Sequence, residues 1–145
     1  MLREFFPSCG LTADLITGFP GEDEQEFSET LAFIEKCAFS SMHIFPYSIR
    51  PGTVAASMPE QCEKSVKNER AARAAQLAEQ MKRRYLAACI GQSFSVLFES
   101  KAKTGSVGHA ENYCEVMVPE GGLAGCVREV EITGVENDRL IGQLL

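Results

Sequence analysis

TADLITGFPGE (Thr12 to Glu22) and HIFPYSIRPGT (His43 to Thr53) decide how this chain is read. Each is a short apolar strand that runs into a loop of Gly and Pro, and one helix-length stretch separates them. The run LTADLITGF, residues 11–19, is stopped by Pro20-Gly21. The acidic EDEQEF that follows suits a helix N-terminus, whose dipole favours carboxylates. Phe27, Leu31, Ile34 and Ala38 then recur every three or four residues, the stripe of an amphipathic helix. Ser41 to Tyr47 reads as the second strand. Strand, helix and strand in this order predict a parallel, right-handed βαβ unit. In an α/β barrel such strand-to-loop junctions carry the ligand-binding groups. Two parallel strands cannot close a barrel and leave their edges exposed.

Downstream, the pattern changes twice. Over residues 60–90, Val66, Arg70, Ala74, Leu77, Met81, Tyr85 and Cys89 keep a helical spacing in an Ala-rich context, and Gly91 supplies a stop. Lys82, Arg83 and Arg84 near its end suit the helix dipole or a phosphate contact. From residue 91 the sequence alternates. SFSVLFES sets Phe94, Val96 and Phe98 on one face, and GHAENYCEVMV, CVREVEITGV and RLIGQLL follow, separated by EGG and END turns. Four or five short strands in this space predict a small antiparallel, OB-like barrel. The expected fold is therefore α/β plus β, divided into residues 1–90 and 91–145.

Composition narrows the function classes. At 145 residues the chain is short for a complete (β/α) barrel with an added module. Its hydrophobic fraction of 45% and charged fraction of 23% are those of a globular protein. No apolar run is long enough to span a membrane, and MLREFFPSCG lacks the apolar core of a secretory signal, so a cytoplasmic location is expected. Cys9, Cys37, Cys62, Cys89, Cys114 and Cys126 lie at least 12 residues apart. Clusters and zinc sites usually draw two ligands from one tight loop. Free, mostly buried thiols and no metal ligands are therefore expected. The net charge of −6 is uneven. Residues 1–59 hold 3 basic and 8 acidic groups, residues 60–90 hold 7 and 4, and residues 91–145 hold 4 and 8. This balance argues against strong non-specific nucleic-acid binding, and RNA binding would need a local patch.

Single residues leave alternatives open. Glu22 is a ligand group or a first-turn carboxylate. Arg50 suits a carboxylate or phosphate in bidentate fashion or an acidic neighbour, with Tyr47 and Ser48 beside it. His43 is expected inside the strand as a hydrogen-bonded core or near-core residue. Asp14, a lone acid in a strand expected to be buried, needs a partner or a function. His109, Asn112 and Tyr113 suit either an RNA-stacking edge or a solvated hairpin with one core aromatic.

The motifs TADLITGFPGE and HIFPYSIRPGT, with MPEQ (Met58 to Gln61), VKNER (Val66 to Arg70) and GHAENY (Gly108 to Tyr113), resemble in order and spacing the radical S-adenosylmethionine (SAM) methylthiotransferases. The likeness covers nearly the whole chain and is greatest to the branch acting on threonylcarbamoyladenosine in tRNA. It implies the C-terminal part of such an enzyme: the end of a radical SAM barrel followed by a TRAM domain, a small RNA-binding β-barrel. The full enzymes use SAM and two 4Fe-4S clusters to place a methylthio group on C2 of the modified adenine beside the anticodon. The resemblance implies that Asp14, Gly18, Phe19, Pro20, Gly21 and Glu22 line the SAM pocket, with Tyr47, Ser48 and Arg50 at its rim. Lys101, Lys103, His109, Asn112 and Tyr113 would contact tRNA. The cluster cysteines are not among these motifs, so a chain that binds RNA without catalysis is expected, partnered by tRNA and by a missing N-terminal half or a second copy. A free-standing TRAM-type module and a methylthiotransferase acting on a ribosomal protein are the alternatives.

Overall fold

The computed structural model describes residues 2–101 and 105–145, with residues 100 and 101 described by backbone alone. The elements run α1 (Leu2–Phe5), β1 (Thr12–Thr17), α2 (Glu24–Cys37), β2 (Ser41–Pro46), α3 (Val54–Ser57), α4 (Lys64–Ala88), β3 (Ser93–Lys101), β4 (Ser106–Ala110), β5 (Glu115–Val118), β6 (Val127–Glu136) and β7 (Arg139–Leu144). They form two compact units, Leu11–Lys82 and Met1–Gly10 with Arg83–Leu145. The division falls within α4.

In the first unit, β1 and β2 pair in parallel, Thr12 opposite Ser41 through Thr17 opposite Pro46. The crossover helix α2 starts on a capping box: Glu26 N–H donates to Asp23 Oδ1 at 2.8 Å, and Asp23 N–H donates to the Glu26 carboxylate at 3.1 Å. Phe27 and Ile34 of its apolar stripe are buried, while Leu31 is half-buried and Ala38 forms the left-handed cap. Only one face of the two-stranded sheet is covered. Thr12, Asp14 and Ile16 are exposed in β1, as are His43 and Phe45 in β2. This corrects the expectation that Asp14 and His43 are enclosed. A strand is buried on both faces only when a layer covers each one, and here the second is bare. Asp14 therefore needs no buried partner.

The second unit is a closed barrel ordered β3-β4-β5-β7-β6. Its expected all-antiparallel pairing is corrected at one seam, because β5 and β7 run parallel, Val116 opposite Leu140. Phe94, Val96 and Phe98 point inward and are at most 2% exposed. Val116, Val118, Val130, Ile132 and Leu140 meet them, and Leu86 and Cys89 from the end of α4 join the same cluster. Gly108 lets β4 approach β3: a Cβ there would stand 2.1 Å from the Leu97 carbonyl oxygen. Asn137 and Asp138, at φ 49° and 61°, make the two-residue turn between β6 and β7. Positive φ at both centres is the type I′ geometry that matches strand twist. Among the described residues no helix is long and apolar enough to cross a membrane.

Candidate functional site

In the α/β unit, both motif loops are held by the first turns of α4. Glu22 sits at the centre of this arrangement. Its Oε1 accepts from Gly18 N–H at 2.8 Å and from Arg70 Nη1 at 2.8 Å, and Arg70 Nη1 also donates to the Glu22 carbonyl at 2.8 Å. The two side chains are 14% and 6% exposed. Such an enclosed, hydrogen-bonded pair fixes geometry, because losing either partner strands a charge. Gly21 N–H adds a bond to the Glu60 carbonyl at 3.0 Å. Gly18 adopts φ 68° against Lys67, whose Cγ would lie 2.5 Å from a Cβ on residue 18. Thr17 Oγ1 donates to the Lys67 carbonyl at 3.4 Å.

The second loop joins through Tyr47. Its N–H donates to the Thr17 carbonyl at 2.8 Å, its ring meets Phe19 edge-on at 5.2 Å, and the Lys67 ammonium lies 4.9 Å from its centre. The Tyr47 hydroxyl is buried with no hydrogen-bond partner among the described residues. A hollow of about 440 Å³ gathers Tyr47, Ser48 and Arg50 with Ile16, Phe45 and Pro46. The residues of the GFPGE loop are not in its lining. They reach it through the Phe19–Tyr47 contact. Lys67, which sequence reasoning left as part of a helix, meets both loops, and Arg70, left there too, holds the first. Their signal was burial of charged side chains, at 9% and 5% exposure, which spacing does not reveal.

In the barrel unit, the residues singled out for RNA separate into distinct roles. Tyr113 is 89% exposed and stands at φ 63°, a strained conformation for a bulky residue. Asn112 builds the turn that presents it: Oδ1 accepts from Cys114 N–H at 3.1 Å, and Nδ2 donates to Cys89 Sγ at 3.8 Å. Asn112 is only 9% exposed. Tyr113 N–H closes the turn on the Ala110 carbonyl at 2.8 Å. His109 Nδ1 lies 2.5 Å from the Glu99 carboxylate on the exposed surface. Lys103 lies outside the described residues, as does the side chain of Lys101. Tyr113 forms a wall between two hollows, one with Phe5, Phe6 and Phe94, the other with Leu97, His109 and Val127.

The cysteines carry no disulfide, and of the six only Cys89 is buried, the others being half-buried. Among the described residues no three His, Cys, Asp or Glu side chains converge as a metal site. The residues present do not fit an iron–sulfur cluster.

The chain thus carries an OB-like barrel that raises an aromatic residue on a strained turn and a parallel βαβ unit whose motif loops are held by one helix. No family model matches the chain. Curated relatives do. The chain is 39% identical over 121 residues, 80% of its length, to the threonylcarbamoyladenosine tRNA methylthiotransferase MtaB of Bacillus subtilis. It is 34% identical over 144 residues, 98% of its length, to the tRNA-2-methylthio-N6-dimethylallyladenosine synthase of Bartonella bacilliformis, and 39% identical over 105 residues to the protein of that name in Syntrophotalea carbinolica. Over most of its length this chain is thus a homologue of the tRNA methylthiotransferases. It spans 27%, 31% and 24% of the length of those three proteins.

Proposed function

We propose that this chain supplies the end of the radical SAM barrel and the TRAM-type RNA-binding barrel of a cytoplasmic tRNA methylthiotransferase. Its substrate is N6-threonylcarbamoyladenosine beside the tRNA anticodon, methylthiolated at C2. The observation that carries the RNA-binding part is Tyr113, 89% exposed at a left-handed φ of 63°. A ring held out at such a cost suits stacking on an unpaired base. The substrate reading rests on the longer of two matches at 39% identity, 121 residues to the protein named for threonylcarbamoyladenosine against 105 residues to one named for dimethylallyladenosine. Tyr113 and His109 are the contacts in this reading, with Lys101 and Lys103 as candidate phosphate partners and Asn112 as the brace of the turn.

SAM fits the α/β unit through the second motif. The buried, partnerless Tyr47 hydroxyl and the exposed Ser48 and Arg50 offer polar groups beside the apolar wall of Ile16 and Phe45. In this reading Asp14 and the loop from Gly18 through Phe19, Pro20 and Gly21 to Glu22 lie outside the lining of that hollow and border it through the Phe19–Tyr47 contact, with Glu22 as the support of the loop. SAM, when bound with its cluster, supplies the radical chemistry. Among the described residues no ligand group for the cluster converges, and in this reading the chain alone binds tRNA without modifying it.

Gel-shift titration of the purified chain with tRNA across a salt series tests this reading. Binding that weakens as salt rises, with no methylthio product from the chain alone, is expected. Absence of binding at low salt would sink it.

A further inference from the structure

Within the barrel unit the Tyr113 ring has a separate hollow on each side. One, of about 420 Å³, has Phe6 and Phe94 in its wall; the other, of about 570 Å³, lies over Leu97 and Val127. Both are in the size range of sites for small molecules. Tyr113 and Glu111 line the two alike. The larger hollow follows from strand register. Val127 of β6 pairs with Leu97 of β3, which pairs with His109 of β4, so the three form one row across the barrel. Leu97 and Val127 are 46% and 54% exposed, giving that hollow an apolar floor open to solvent. The smaller hollow depends on the chain start. Tyr85 hydroxyl donates to the Ser8 carbonyl at 2.7 Å, and Ser8 Oγ donates to Gln92 Oε1 at 2.7 Å. These bonds anchor the segment that carries Phe6, itself 64% exposed.

Resting on the reading of Tyr113 as an RNA platform, we propose that its ring inserts between two neighbouring unpaired bases of one strand, one base in each hollow. Charge decides that the occupants are bases and not phosphates. Among the described residues no Lys or Arg lines either hollow, while Glu111 lines both and Glu99 joins the larger one. Carboxylates repel phosphate and accept hydrogen bonds from the N–H edge of a base. The aromatic and aliphatic walls take the faces of the bases. Loop bases in RNA are splayed apart in this way so that each stacks on protein. A ring exposed to 89% has both faces available, and Glu111, common to the two hollows, accepts from the amino group of either base.

Titration of the full chain with the dinucleotide ApA, followed by NMR, tests the insertion. The ring signals of Tyr113 and Phe6 and the methyl signals of Leu97 and Val127 are expected to shift together, with one half-saturation point. ApA should bind roughly tenfold more tightly than adenosine, because a second base then stacks. Leu97→Ser, at an exposed position, should remove most of that advantage while the melting curve and the Phe6 response persist. Shifts at Tyr113 and in one hollow only, or equal affinities for ApA and adenosine, would overturn the insertion and leave the single-base platform standing. No shift at any of these residues with either probe would overturn both.

Discussion

Two side chains decide most of what the residue scale offers. Replacing Tyr113 by Gly relieves a left-handed φ of 63° and removes a ring that contributes little to the core. The thermal midpoint is expected to stay constant or rise, by at most about 1 kcal/mol in stability. A clear fall in a melting curve would mean that the ring packs after all. Arg70→Met leaves the enclosed Glu22 carboxylate without its partner and is expected to cost about 3 kcal/mol in urea unfolding. The double variant Glu22→Gln, Arg70→Met should lose less than Arg70→Met alone, because no charge is then stranded. The exposure of Tyr113 could not be read from GHAENY, since an aromatic residue between two strands serves equally as core or platform. Glu22 illustrates the same limit. Its place at a helix start was legible, but its arginine partner lies 48 residues away in sequence.

At the scale of elements, Tyr85 links the chain start to α4 within the barrel unit. Its hydroxyl donates to the Ser8 carbonyl at 2.7 Å. Burial, reinforced by nearby Cys114 and Cys89, raises its pKa above the ordinary value of 10.0. A raised folded value means that the stabilisation is complete below the unfolded value and is lost progressively as pH climbs from there toward the folded value. The urea midpoint is therefore expected to fall from about pH 10 upward, where the unfolded tyrosine ionises and the folded one does not, and to fall less steeply in Tyr85→Phe. Equal slopes would refute the assignment. Periodicity gave away α2, α4 and the inward face of β3, where apolar spacing follows burial directly. It was blind to the short helices α1 and α3, to the parallel seam between β5 and β7, and to which face of β1 is bare. Strand order and layering depend on contacts far apart in sequence, and alternation within one strand does not encode them.

For the whole molecule, the two units differ in how much they enclose. The barrel buries Phe94, Val96, Phe98 and five further large apolar strand residues among them. In the α/β unit, Phe27, Ile34, Ala74 and Met81 are buried, while Ile16, Phe45 and Ile49 are more than half exposed. Local stability follows such burial. Amide exchange is expected to be slowest in β3, β4 and β6, and faster in β1 and β2. The reverse order would contradict this account of the core. The central claim remains that the barrel unit reads RNA through Tyr113. The most direct measurement is fluorescence anisotropy with an anticodon stem-loop carrying N6-threonylcarbamoyladenosine, comparing the wild-type chain with Tyr113→Ala. The account predicts a loss of about 1–3 kcal/mol in binding for the variant at unchanged fold. Equal affinities for the two proteins would contradict it.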